Sequence, residues 1–423
     1  MQSNTNIFVF IHNLQLTTHN FLMSEETKNI LLLLSIPLSG GFVGWFTNWL
    51  ALVMTFKPIE YWGIRPFGWQ GIIPSKAGRM AEIAVDMITT KLLFINERFE
   101  QIDPKIVSKE MLSSLTELSR RLINEVMETQ APTIWKNTPD MIKNRIYHSV
   151  SEDLPVVVEQ MLEDIKTNLP ELLDVKKIAV RTLTRNKELL NKMFQKCGEK
   201  EFKFIEVSGL YFGFLLGLPQ MVVSYFYNPW WFLPLFGLIV GYLTNDLALR
   251  LIFEPLYPKK ILGLFTFQGL FIKRQNEVSE VYCKMVNNEI LTTESMFEYV
   301  MRGPGAAKMA QLLETQVHQI IEKAIGNSKL LVETVVGKRL EAIKNIASYR
   351  IIQEMPISVR SIFDYTEKSL DLEHELLRKM KALSPKEFEG FLRPVFQEDE
   401  MKLILIGAFL GLLAGFAQYY FLF

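Results

Sequence analysis

The chain has 423 residues, 49% of them hydrophobic, and a formal net charge of zero. That balance leaves no electrostatic case for nucleic acid as a partner. Two cysteines far apart in sequence, Cys197 and Cys283, and five scattered histidines exclude a disulfide framework and a structural zinc site.

The charge is unevenly placed: no Lys or Arg occurs in 1–27, 29–56, 204–249 or 403–423. A helix needs about 20 apolar residues to cross the hydrocarbon core, and four segments qualify. In chain order the expected organisation is a tail over 1–29, a first span over 30–56, and a helical soluble module over 57–204. A second span follows over 205–225, a third over 230–253, a second module over 254–402 and a fourth span over 403–423. The tail lacks the basic start of a signal peptide, and Met23 opens "MSEETKNILLLL". Residues 1–22 are therefore expected to be weakly ordered or absent from the mature protein. Pro37 and the Gly40-Gly41 pair predict a tilt, kink or break in span one.

Basic residues cluster on one side of every span. Lys57, Arg65, Lys76 and Arg79 follow the first, and Lys192, Lys196, Lys200 and Lys203 precede the second. Lys259, Lys260, Lys273 and Arg274 follow the third, and Arg393 and Lys402 precede the fourth. The positive-inside rule then puts both modules in the cytoplasm and both termini outside. Lys28 alone dissents, and a residue at a helix end can snorkel.

"GWFTNWLALVMTF" (44–56) returns as "GYLTNDLALRLIF" (241–253) at an offset of 197. "GLYFGFLLGLPQ" (209–220) returns as "GAFLGLLAGFAQ" (407–418) at 198. Matches at a constant spacing across spans and loops predict an internal tandem duplication of about 198 residues, all-α, with both copies inserted in the same direction. In the modules, Met111, Leu112, Leu115, Leu118 and Leu122, and later Leu312, Leu313, Val317 and Ile320, recur at helical spacing; no strand alternation stands out.

Three sets of residues are candidates for function. The polar motif inside the membrane comprises Thr47, Asn48, Thr244, Asn245, Asp246 and Arg250. Polar groups there either bond across a helix contact or line a pathway, while Asp246 and Arg250 have i, i+4 spacing for an ion pair. Helix packing falls to Gly40, Gly44, Gly241, Gly209, Gly213, Gly217, Gly407, Gly411 and Gly415, small residues that let backbones approach. Aromatic, Pro/Gly-rich loops after the first and third spans carry Lys76, Arg79, Lys273 and Arg274 as a candidate lipid-headgroup site. No GxSxG, P-loop, GxGxxG or metal-ligand motif occurs, so no catalytic residue, metal or cofactor is assigned and a non-enzymatic role is expected.

The run G-x-x-T-N-x-L-A, then F-x-P, then Q-G-x-x-P and basic residues resembles the YheB-like bacterial membrane proteins, filed as domain of unknown function 445. The likeness runs from about Ile30 to the end and includes the glycine-spaced last span; Asp246 and Ile272 depart from the pattern. It implies a bacterial inner-membrane protein with helical soluble parts. The combined expectation is a homo-oligomer, assembled through its glycine faces, that organises membrane or envelope and meets lipid and protein partners through the soluble helices. The alternatives are a lipid or small-solute translocator with a path between the repeats, and a membrane-bound enzyme of unrecognised type.

Overall fold

The computed structural model describes residues 25–64, 67–87, 89, 95–227, 229–261, 265–326, 337 and 339–422. The expectation for residues 1–22 and the basic residue Arg65 lie outside them.

The first half of the chain carries helices α1 (Glu25–Phe56), α2 (Ala77–Met87), α3 (Pro104–Gln130), α4 (Asp140–Thr167), α5 (Val175–Arg185), α6 (Lys187–Cys197) and α7 (Glu199–Phe226). The second half carries α8 (Phe232–Phe253), strands β1 (Lys259–Ile261) and β2 (Phe265–Phe267), then α9 (Gln275–Met285) and α10 (Thr293–Arg302). It continues with α11 (Ala306–Ile325), α12 (Arg339–Ser358), α13 (Phe363–Leu370), α14 (Leu372–Lys381) and α15 (Pro385–Leu422). Single-turn helices lie between some of these. The β-hairpin pairs Lys259 with Phe267 and Ile261 with Phe265. It departs from the purely helical expectation, because strands of three residues are too short to show a period of two, and Lys259 and Lys260 have no preference for a strand.

Two compact units result: residues up to Ala77 with Lys187–Val278 and Ser384 onward, and Gly78–Asn186 with Ser279–Leu383. Four helices of the first unit are long and apolar enough to cross a membrane: Ile30–Phe56, Glu199–Phe226, Phe232–Phe253 and Glu400–Tyr420. Within it, α1 packs along α7 and α8 along α15. Of the tilt, kink or break expected at Pro37, the break does not occur, for α1 is helical throughout with Pro37 inside it. The last span is the end of a much longer helix. Ser384 and Glu387 form a reciprocal capping box, with Ser384 N–H donating to Glu387 Oε2 at 3.0 Å and Glu387 N–H to Ser384 Oγ at 3.3 Å. That start satisfies the orphan donors of the first turn and sets α15 going well before its apolar stretch.

The second unit is built jointly by the two segments read as separate modules. Helix α3 packs on α4, α4 on α11, α11 on α12 and α12 on α3, a closed ring of two helices from each half. Helix α3 is started by Asp103, whose Oδ1 accepts from Lys105 N–H at 2.9 Å, with Pro104 at the first position. Its buried face is Met111, Leu115, Leu118, Leu122 and Val126. Polar ties cross the ring: Gln316 Nε2 donates to Asp164 at 2.9 Å, and Arg121 pairs with Glu354 at 2.9 Å. These helices, with α10 and α13, line a partly open cavity of about 220 Å³.

Cys283 lies in the same unit at 1% exposure, its thiol directed at Met380 Sδ 3.8 Å away. Burial, helped by the negative charge of Glu373, pushes the thiol up to about 12. The thiolate is the reactive form, so Cys283 is expected to resist iodoacetamide at neutral pH and to alkylate fully only after denaturation, as read by peptide mass. Rapid alkylation of the folded protein would contradict this burial.

Candidate functional site

The glycine stripes of α1 and α7 face each other. A Cβ built on Gly40 would lie 2.9 Å from the Gly213 carbonyl oxygen, and one on Gly44 would collide with that of Gly209. Gly217 sits under Pro37, where a Cβ would come 2.6 Å from Pro37 Cα. One turn past Gly44, Asn48 Nδ2 donates to the Ile205 carbonyl at 2.7 Å, while Thr47 Oγ1 bonds back to Gly44 O at 3.2 Å. The backbones therefore meet without intervening side chains, and an amide closes the contact at one end.

Helices α8 and α15 make the same contacts. Gly237 and Gly241 meet Gly411 and Gly407, and Gly415 sits under Pro234. Asn245 Nδ2 donates to the Leu403 carbonyl at 3.2 Å, and Thr244 Oγ1 to Gly241 O at 3.4 Å. Sequence reading missed Gly237 and the Pro37–Pro234 pair. The signal was present, since both proline and glycine recur at the offset of 197 that relates the two Thr-Asn motifs.

Thr47, Asn48 and Thr244 have no exposed surface and Asn245 has 3%. Beside Asn48 and Asn245 lies a cavity of about 20 Å³, also lined by Ala51, Thr55, Leu249 and Leu403. That is space for about one water, beside two amides that each close a helix contact. Asn48 Oδ1 is buried with no protein partner. At the other end of the spans the two glutamines differ. Gln418 Nε2 donates to Ser39 Oγ at 2.7 Å, whereas Gln220 is buried and its Nε2 has no partner.

The expected Asp246–Arg250 pair is formed, with Arg250 Nε 3.0 Å from Asp246 Oδ1. Among the candidate headgroup cations, Lys273 and Arg79 are exposed and Lys76 is half-buried. Arg274 is tied to two carboxylates. Its Nη1 lies 2.6 Å from both carboxylate oxygens of Glu201, and its Nε donates to Glu277 at 3.0 Å. Burial works against the Arg274 charge, but bonds to Glu201 and Glu277 outweigh it and the pKa is raised. Hydrogen bonds from Lys200 and Arg274 hold Glu277 below its usual range. Glu201, at the start of α7, was not singled out from sequence. Nor was Glu206, which accepts from Trp45 Nε1 at 2.9 Å. Among the described residues, no group of three or more His, Cys, Asp or Glu is arranged to hold a metal ion.

No known family profile and no solved structure matches the chain. A UPF0754 membrane protein of Synechococcus sp. is 35% identical over 66 residues, 15% of this chain and 16% of that protein. The UPF0754 membrane protein of Cyanothece sp. is 21% identical over 429 aligned residues, covering 90% of this chain and 96% of its own length. That of Synechococcus elongatus is 27% identical over 129 residues, 29% of this chain and 31% of that protein. These relatives carry the UPF0754 name, and the YheB-like name expected from the motifs is not among those they bear. The chain is thus similar to bacterial membrane proteins of an uncharacterised family, in one case along nearly its whole length.

Proposed function

We propose that the chain is a non-enzymatic inner-membrane protein in which two tandem copies of one helix pair anchor a helical binding unit at the cytoplasmic face. There the unit organises membrane or envelope components. The observation that carries this reading is the repeated interlock. Gly40, Gly44 and Asn48 engage Gly213, Gly209 and Ile205 as Gly237, Gly241 and Asn245 engage Gly411, Gly407 and Leu403. Two close-packed pairs of this kind suit a membrane anchor, and a constant offset between their residues is what duplication would leave. Because the glycine faces meet within the chain, assembly with further copies would use other surfaces. Sidedness rests on the basic residues, of which Lys196, Lys200 and Lys203 flank the start of α7 while none lies in the turn between α7 and α8.

Single substitutions at exposed tyrosines test the placement. Tyr227→Cys, between α7 and α8, is expected to react with a membrane-impermeant maleimide on intact cells. Tyr349→Cys, on α12, is expected to react only after permeabilisation. Both positions are more than half exposed, so accessibility does not limit the readout. The opposite labelling pattern would overturn the orientation and with it the cytoplasmic role.

A further inference from the structure

Helices α3, α4, α11 and α12, together with α10 and α13, leave a partly open cavity between them. Close-packed interiors leave few voids larger than a water molecule, yet this cavity measures about 220 Å³. An engineered apolar cavity of about 150 Å³ already stays dry and takes up benzene. Apart from Thr293, Gln316 and Thr366, the walls here are aliphatic, aromatic and methionine side chains, and among the described residues lining the cavity none carries a formal charge. An ionised carboxylate or phosphate inside would lack a counter-charge, at a cost far above that of a neutral polar group.

Two lining atoms lack partners. Gln316 is 4% exposed, and its amide nitrogen is committed to Asp164 Oδ2 at 2.9 Å. That bond leaves its Oε1 as a buried acceptor with nothing to accept from, and Thr293 Oγ1 is likewise buried without a partner. Both residues line the cavity. An unmade buried hydrogen bond costs about 1–3 kcal/mol. Native interiors rarely leave two in one place without a reason.

We propose that this cavity binds the apolar chain of a neutral, hydroxyl-bearing lipid drawn from the bilayer. The alkyl chain fills the apolar ring, each buried methylene contributing about 0.8 kcal/mol. Gln316 Oε1 accepts a hydrogen bond from a hydroxyl, and Thr293 Oγ1 donates one to an oxygen of the head. Met161, Met309 and Met355 line the cavity and let it adapt to chains of different kink. The inference names what the binding unit holds, and so rests on reading that unit as a binding module; it does not depend on which side of the membrane the unit faces.

The test uses the full chain in lipid nanodiscs with a diazirine-bearing long-chain alcohol as probe. Photolysis followed by peptide mapping is expected to place cross-links on the lining methionines of the second unit. Excess dodecanol should abolish them, and excess dodecanoate at about pH 10, high enough to keep the carboxylate ionised even with its pKa raised by the bilayer, should not. Thr293→Val keeps the side-chain shape and removes only the unpartnered hydroxyl. It should lower cross-linking by alcohol about three- to tenfold, the loss of one hydrogen bond, while leaving a diazirine-bearing alkane unaffected. Cross-links confined to the four spans, or equal competition by dodecanoate, would overturn the proposal, as would an unchanged yield in Thr293→Val. A reversed tyrosine-to-cysteine labelling pattern would leave these cross-links in place, so failure of the orientation and failure of the site are separately readable.

Discussion

Gly44→Leu and Gly241→Leu are each expected to separate one helix pair and to lower the unfolding temperature of the purified protein sharply. At both positions a side chain would collide with a carbonyl oxygen of the facing helix, Gly209 and Gly407 respectively. Backbone cannot rotate away as a flexible side chain could. Overpacking a tight interior costs about 1–3 kcal/mol and at times more. Within a bilayer, moreover, no hydrophobic force drives the displaced helices back together, because lipid tails solvate them as well as leucine does. Separation would also pull Asn48 from the Ile205 carbonyl, or Asn245 from that of Leu403, so the polar and packing losses coincide. Gly78→Ala is the control. A Cβ there meets nothing within 4 Å, and alanine in a helix is favoured over glycine by about 1 kcal/mol, so stability should hold or rise. If all three variants unfolded alike in a thermal scan in nanodiscs, the glycine contacts would not be what holds the pairs.

The four spans were legible because absence of charge over about 20 residues is a property of composition, which a sequence displays directly. What a stripe packs against is not displayed. Gly40 and Gly44 announce a close helix contact, but the partner at Gly213 and Gly209, and not at a second copy, is a matter of tertiary geometry. The same holds for the apolar faces of α3 and α11. Their periodicity marks a buried side, and only folding shows the two segments, far apart in the chain, closing one ring. Helix α15 is a different case. The "SPKE" run at 384–387 is a readable capping signal, but it lies well before the apolar stretch that marks the span. The Glu201–Arg274 contact spans 73 residues of sequence, and neither residue's neighbourhood hints at the other. A cavity leaves no sequence signal at all, since it is made of what the surrounding side chains fail to fill.

Removal of Arg274 is expected to be the most damaging single change in the charged cluster of Lys200, Glu201, Arg274 and Glu277. The Glu201 side chain is 2% exposed and that of Arg274 19%, so Arg274→Met leaves a carboxylate buried without its cation. Breaking one side of a buried pair costs about 3–5 kcal/mol. Glu201→Gln should cost less, because the remaining guanidinium keeps Glu277 3.0 Å away and has a part-open route to water. The double variant Glu201→Leu with Arg274→Met should recover most of the stability, as apolar replacements of buried pairs often do. Denaturant unfolding of the three proteins gives the order, and a double variant as unstable as Arg274→Met would show that the pair is not the cause. Acid probes the same cluster. Glu277 has its pKa lowered from 4.5 by hydrogen bonds from Lys200 and Arg274. Its contribution is therefore fully present above about 4.5 and is lost as pH falls through the lowered folded value. Arg274→Met takes away one of the two cations responsible. The acid-induced loss at Glu277 should then begin at higher pH and be smaller in size, a shift that a merely steric role for Arg274 would not produce.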